Sequence, residues 1–142
     1  MSGARARSAW ILLVLLAAAA PVLVAGRLFP SGSPDRDDAA YLSQANALRA
    51  GHLTLPAASH DPFFLPFLSG VDGDRVVFKY QPAWPAVIAA SEALTGTPKT
   101  ALALTGVAST LAVAALAFEV TLRRRAALAA GFVFATSPWF LI

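Results

Sequence analysis

Asp37 and Asp38 are adjacent carboxylates followed by the segment AAYLSQANALRA. Ser33 or Asp35 supplies an N-cap ahead of them, and Gly51 supplies a left-handed stop after them. The spacing therefore predicts a short helix with both acids in its first turn. Neighbouring helical residues point about 100° apart, so one carboxylate can face a cavity while the other stabilises the helix start. A carboxylate in that position can act as a general base toward an acceptor hydroxyl. The same acids, with Asp35, also have a plain role as N-terminal helix charges, each worth about 0.3–1 kcal/mol against the macrodipole.

Lys79 and Tyr80 are the second chemical feature, with Arg75 four residues earlier and Arg49 at the end of the predicted helix. Lysine is a compact charge able to neutralise a phosphate; beside an aromatic at a membrane edge it is equally an interfacial anchor. His52 and His60 are separated by eight residues and Pro56, which is not the spacing of paired metal ligands, and no metal site is expected. The absence of cysteine removes disulfides, thiolate metal sites and cysteine nucleophiles. There is no Gly-rich phosphate loop, no Ser-His-Asp arrangement and no internal repeat, so soluble nucleotide chemistry has no foothold.

The elements that must position these groups are those of a membrane protein. Of 142 residues, 57% are hydrophobic and 13% charged, about half the charge of an ordinary soluble domain, and the mean hydropathy is +0.62. The net charge of +3 comes from bases beside apolar segments, where they set orientation, and nucleic acid is not expected as a partner. Residues 8–26 form an uncharged run long enough to approach a hydrocarbon core of about 30 Å. Arg5 and Arg7 ahead of it place the N-terminus in the cytoplasm; a cleavable signal peptide is the rival reading of the same run.

Residues 27–79 hold six of the eight acids and form a long external loop, ordered by Phe63, Phe64, Phe67, Val76, Val77 and Phe78. Within it, Tyr41, Leu42, Ala45 and Leu48 make an apolar face on the predicted helix, opposed by polar Gln44, Asn46 and Arg49. A turn at Asp72 to Asp74 precedes an extended piece at Arg75 to Phe78. Further apolar runs at 80–96, 100–122 and 126–142 give four spans in an all-α, polytopic chain. Trp84 and Trp139 suit the interfacial belt. Glu92 is an intramembrane carboxylate expected to face an interior or a cavity, whereas Glu119 lies near the end of its span.

Four spans create a conflict, because they place Arg123 to Arg125 outside although positive residues favour the cytoplasm. A re-entrant or interfacial 80–96 segment would remove it. Four spans are nevertheless expected, since the first helix often dominates orientation.

The ordered combination of an Arg-flanked span, DDAAYLSQANALRAGHLTLP, VVFKYQPAWPAVIAASEALTG and a span ending in Arg123 to Arg125 before ALAAGFVFATSPWFL resembles the N-terminal part of GT-C glycosyltransferases. The kin in view are bacterial relatives of the dolichyl-phosphate-mannose protein mannosyltransferases and the aminoarabinose transferases. The resemblance covers nearly the whole chain and implies a fragment of a larger helical bundle, inactive alone. It implies Asp37 as catalytic base, with Asp38 where the family more often has Glu. It also implies Lys79, in a Lys-Tyr-Pro-Pro-like motif with Gln81 in place of a proline, as the holder of the carrier-lipid phosphate.

The reaction implied is an inverting transfer from a polyprenyl-phosphate sugar to a hydroxyl of a protein, lipid or glycan at the outer face of the cell membrane. Departing phosphate develops negative charge that Lys79, with Arg49 or Arg75, could stabilise. No soluble cofactor is required, because the phosphoester activates the sugar. Two non-enzymatic readings stand beside this one: a membrane scaffold subunit, and a transporter fragment with Glu92 on its path.

Overall fold

The computed structural model describes residues 3–28, 36–57 and 65–137. Ser33, Asp35, His60, Asp61, Phe63, Phe64 and Trp139 lie outside the described residues. The elements in chain order are α1 (Gly3–Leu28), α2 (Arg36–Arg49), β1 (Leu55–Pro56), β2 (Ser69–Asp72), β3 (Arg75–Phe78), α3 (Ala83–Thr95), α4 (Lys99–Thr121) and α5 (Arg124–Ala135). They fall into two compact units, one of Met1–Pro30 with Leu102–Ile142 and one of Ser31–Ala101.

The expected short helix is present as α2, with Asp37 and Asp38 in its first turn and Arg49 in its last. Its end is a complete Schellman motif. Gly51, at φ +81°, donates its N–H to the Leu48 carbonyl, and His52 donates to Ala47, both at 2.9 Å. These bonds satisfy carbonyls that the helix leaves open. The expected turn and extended piece are present as well. Gly73, at φ +60°, takes the first of the two loop positions between β2 and β3, where a type II′ hairpin favours glycine.

The described residues are mostly helical, as expected, and a small sheet is added to the all-α expectation: β3 pairs antiparallel with both neighbours in a three-stranded sheet of order β1-β3-β2. Val76 lies opposite Val71 on one side and Leu55 on the other. It is fully buried, because directly opposed residues share one face of a sheet. An isolated extended segment would leave its backbone groups open, and pairing with two strands satisfies them.

In the same unit, Ala45 of α2 packs on Ile88 and Ala89 of α3 and on Ala101 in the first turn of α4, with Tyr41, Leu48 and Trp84 at the margin. Between α3 and α4 the chain turns through Gly96 at φ +76°, whose N–H bonds the Glu92 carbonyl. A knot of hydroxyls stabilises this turn: Ser91 Oγ donates to the Thr97 carbonyl at 3.0 Å, and the Thr95 and Thr100 hydroxyls meet at 2.8 Å.

The other unit is organised by small residues. Buried positions recur every fourth residue at Leu13, Ala17 and Pro21 on α1, at Gly106, Thr110 and Ala114 on α4, and at Ala127, Gly131 and Ala135 on α5. Such i, i+4 rows are the ridges by which helices pack closely. The large apolar side chains point the other way: Ile11, Leu12, Leu15 and Leu23 of α1 and Leu104, Leu111, Leu116 and Val120 of α4 are exposed. Small residues inside and large ones outside is the order of helices packed in lipid, where apolar burial against water does not drive association.

Two helices, with apolar segments Arg5–Arg27 and Lys99–Thr121, are long and apolar enough to cross a membrane, and little of either is buried within the protein. The 80–96 run forms only the 13-residue α3, about 20 Å long and short of a hydrocarbon core of about 30 Å. In the 126–142 run the described helix ends at Ala135, three residues before Pro138; a proline disfavours helical geometry in the residue preceding it.

Candidate functional site

Two side chains of α2, Tyr41 and Gln44, meet Tyr80 just after the end of β3. Tyr41 is one helical turn beyond Asp37 and Asp38, so its side chain shares their side of α2. Its ring meets that of Tyr80 with centroids 4.8 Å apart and planes tilted by 48°, within the range of favourable aromatic pairs. One turn further on, the Gln44 side-chain nitrogen donates to the Tyr80 carbonyl at 3.3 Å. Lys79, exposed, immediately precedes that doubly held tyrosine, and its own N–H extends the hairpin by bonding the Leu68 carbonyl at 3.0 Å. The acidic pair thus lies one helical turn before Tyr41, and Lys79 one residue before Tyr80, the tyrosine that Tyr41 touches.

Gln44 departs from the sequence reading, which put it on the polar face with Asn46 and Arg49. It is only 4% exposed, and its Oε1 finds no hydrogen-bond partner among the described residues. The missed signal is the row Ala40, Gln44, Ala47, where small neighbours a turn away on either side mark a face pressed against another element. Leu42, expected on the apolar face, is instead exposed.

The other cations expected near a phosphate are placed elsewhere. Arg49 stands about 18 Å along α2 from Asp37, and its guanidinium lies 2.9 Å from the Glu92 carboxylate. Arg75 is at the hairpin turn, 3.7 Å from Asp74 in a solvent-exposed pair and about 13 Å along the strand from Lys79. Lys79, by contrast, adjoins Tyr80 in sequence. Glu92, expected to face an interior or a cavity, instead faces Arg49. No group of three or more His, Asp or Glu gathers among the described residues, and His52 is exposed.

The Arg49–Glu92 pair joins α2 to α3 and is part-exposed, with the two side chains 42% and 27% accessible. Solvent holds such a pair to about 1 kcal/mol or less. Arg49→Glu is expected to destabilise the 31–101 unit modestly, and Arg49→Glu with Glu92→Arg to restore most of the loss, measured as thermal midpoints. A double variant no more stable than the single one would show that the pair does not join the helices.

Chemically, the cluster offers carboxylates for proton acceptance, an ammonium for an anion and two aromatic faces with hydroxyl edges. Comparison with protein-family models, curated proteins and solved structures finds no match to this chain.

Proposed function

We propose that the protein takes part in transferring a sugar from a polyprenyl-phosphate donor to an acceptor hydroxyl at the outer surface of the cell membrane, as a multi-pass GT-C-like glycosyltransferase. The observation that carries this reading is the Tyr41–Tyr80 contact, which joins the helix that begins with the acidic pair to the segment that carries Lys79. Proton acceptance and phosphate binding are the two tasks of such a transfer: the attacking hydroxyl loses a proton as the new glycosidic bond forms, and the lipid phosphate leaves with the electrons of the old one. Asp37 takes the proton, Asp38 supports the helix start, and Lys79 balances the developing phosphate charge. Arg49 and Arg75 have no direct part, because each faces an acid away from this cluster.

In this reading α1 and α4 each cross the membrane once while α3 does not. The N-terminus is cytoplasmic and residues 36–98 are outside, where lipid-linked sugars are consumed. The Arg49–Glu92 pair counts against a transport path through Glu92, whose carboxylate would have to be available to a passing substrate. The scaffold reading differs from the enzyme reading in tolerating changes at Asp37 and Lys79.

The test is sugar transfer by the full-length protein from polyprenyl-phosphate donors. Lys79→Ala is expected to raise the donor KM by about 10- to 100-fold, the worth of one charge-assisted hydrogen bond. Unchanged donor KM in that variant would remove Lys79 from the site.

A further inference from the structure

We infer that the turn Leu122–Arg125, between α4 and α5, lies on the cytoplasmic side of the membrane and binds the phosphates of anionic phospholipids. This rests on the two-crossing reading above and is independent of sugar transfer. Two crossings return the chain to its starting side, so Arg123, Arg124 and Arg125 join Arg5 and Arg7. Only Arg27 and Lys99 stand next to the opposite ends of the crossing helices. The charge conflict of the four-span reading disappears, since five cations now flank the cytoplasmic side.

The local structure indicates the ligand. All three arginines are exposed, and none forms an ion pair among the described residues; Glu119, four residues before Arg123, pairs with none of them. The first turn of α5 adds repulsion, since it contains cations and no acid and its N-cap makes no side-chain hydrogen bond. Beside this charge lies exposed apolar surface, with Val120 and Leu122 77% and 75% accessible.

Leu122 carries the further point. Its φ is +53°, a left-handed conformation that costs a non-glycine residue about 1–2 kcal/mol. Its N–H closes the end of α4 on the Phe118 carbonyl at 2.6 Å, the position where helices usually take glycine. An outward leucine at a glycine position, next to three unpaired guanidiniums, fits the boundary between acyl chains and headgroups. Leu122 and Val120 enter the apolar layer while the arginines reach the phosphates. Arginine suits this task because its planar donor fork matches phosphate oxygens.

The experiment uses the full-length protein in micelles, titrated with phosphatidylglycerol or phosphatidylcholine and read by lipid retention in native mass spectrometry. Phosphatidylglycerol is expected to be retained about 10²-fold more strongly, the sum for three cations at an anionic surface. Replacing all three arginines with Gln should abolish the preference. Replacing them with Lys should keep much of it and shows that the charge, not the fold, is being read, as does Lys99→Gln, which should leave the preference intact. Equal retention of the two lipids, an unchanged preference in the Gln variant, or displacement of the lipid by inorganic phosphate or an oligonucleotide at equal concentration would each overturn the assignment. The sidedness is read separately. The chain lacks cysteine, so Arg124→Cys, at the exposed headgroup level of the turn, should react with an impermeant maleimide only after permeabilisation. Labelling in intact cells would overturn the cytoplasmic placement.

Discussion

Replacing Asp37 by Asn in the full-length protein is expected to lower sugar-transfer turnover by about 10²- to 10⁴-fold, the usual contribution of a positioned general base. Asparagine keeps the size of the side chain and much of its hydrogen-bonding capacity, and removes the charge. As a helix-start acid alone, Asp37 would contribute about 1 kcal/mol at most, so membrane insertion and donor binding should survive while turnover falls. That split distinguishes chemistry from capping. Asp38→Asn is the internal control: Asp38 is exposed at the same helix end, and its loss should resemble a capping defect. If Asp37→Asn keeps more than about a tenth of wild-type turnover, Asp37 is not the base. Asp38 is then the next residue to test, before the scaffold reading takes the place of the enzyme.

The second large effect is expected at Gly131. A Cβ there would stand 2.8 Å from Leu13 Cδ2, 3.4 Å from the Ala114 Cβ and 3.6 Å from Thr110 Cγ2. Leu13 of α1 therefore sits against Gly131 in a hollow lined by α4 and α5. Gly131→Ala requires only a small movement of the Leu13 tip. Gly131→Leu must separate the helices, and overpacking of this kind costs about 1–3 kcal/mol or more. Leu13→Ala alone leaves a cavity, costing about 2–5 kcal/mol. The combination of Gly131→Leu with Leu13→Ala exchanges knob and hollow, and should recover part of both losses, with a coupling of about 0.5–3 kcal/mol. Reversible unfolding in micelles measures all four corners of this cycle. Strict additivity would mean that Leu13 and Gly131 do not share one packing site.

The two predictions address different properties. The α2–Lys79 region concerns which groups can move a proton or hold a phosphate. The Gly131 hollow concerns the packing of α1, α4 and α5, whose large apolar side chains remain directed outward. A variant that loses turnover without loss of stability belongs to the first property, and one that loses stability belongs to the second.

What the sequence determined by itself are the features set within a few residues. The acids at 37 and 38 marked the first turn of α2 and the glycine at 51 its end, because helix-start charge and left-handed closure are local features. Asp72, Gly73 and Asp74 specified the hairpin turn for the same reason. The uncharged runs specified two helices able to cross a membrane, because length and transfer energy are additive along a helix.

Tertiary structure decided the partners, because they are set by packing between segments far apart in the chain. Gln44 belongs by type to a polar face, yet it is buried because α2 presents its alanines to another element and Tyr80, 36 residues away, supplies a carbonyl. Arg49 is a free cation by sequence alone, and only the packing of α2 on α3 sets Glu92 against it. The extended piece became the centre of a sheet because β1 and β2 both align on it. The second apolar run, residues 80–96, is hydrophobic enough to suggest a span, but Gly96 ends its helix at 13 residues. Hydrophobicity states where a segment is comfortable; the hydrogen bonds that close a helix decide how far it reaches.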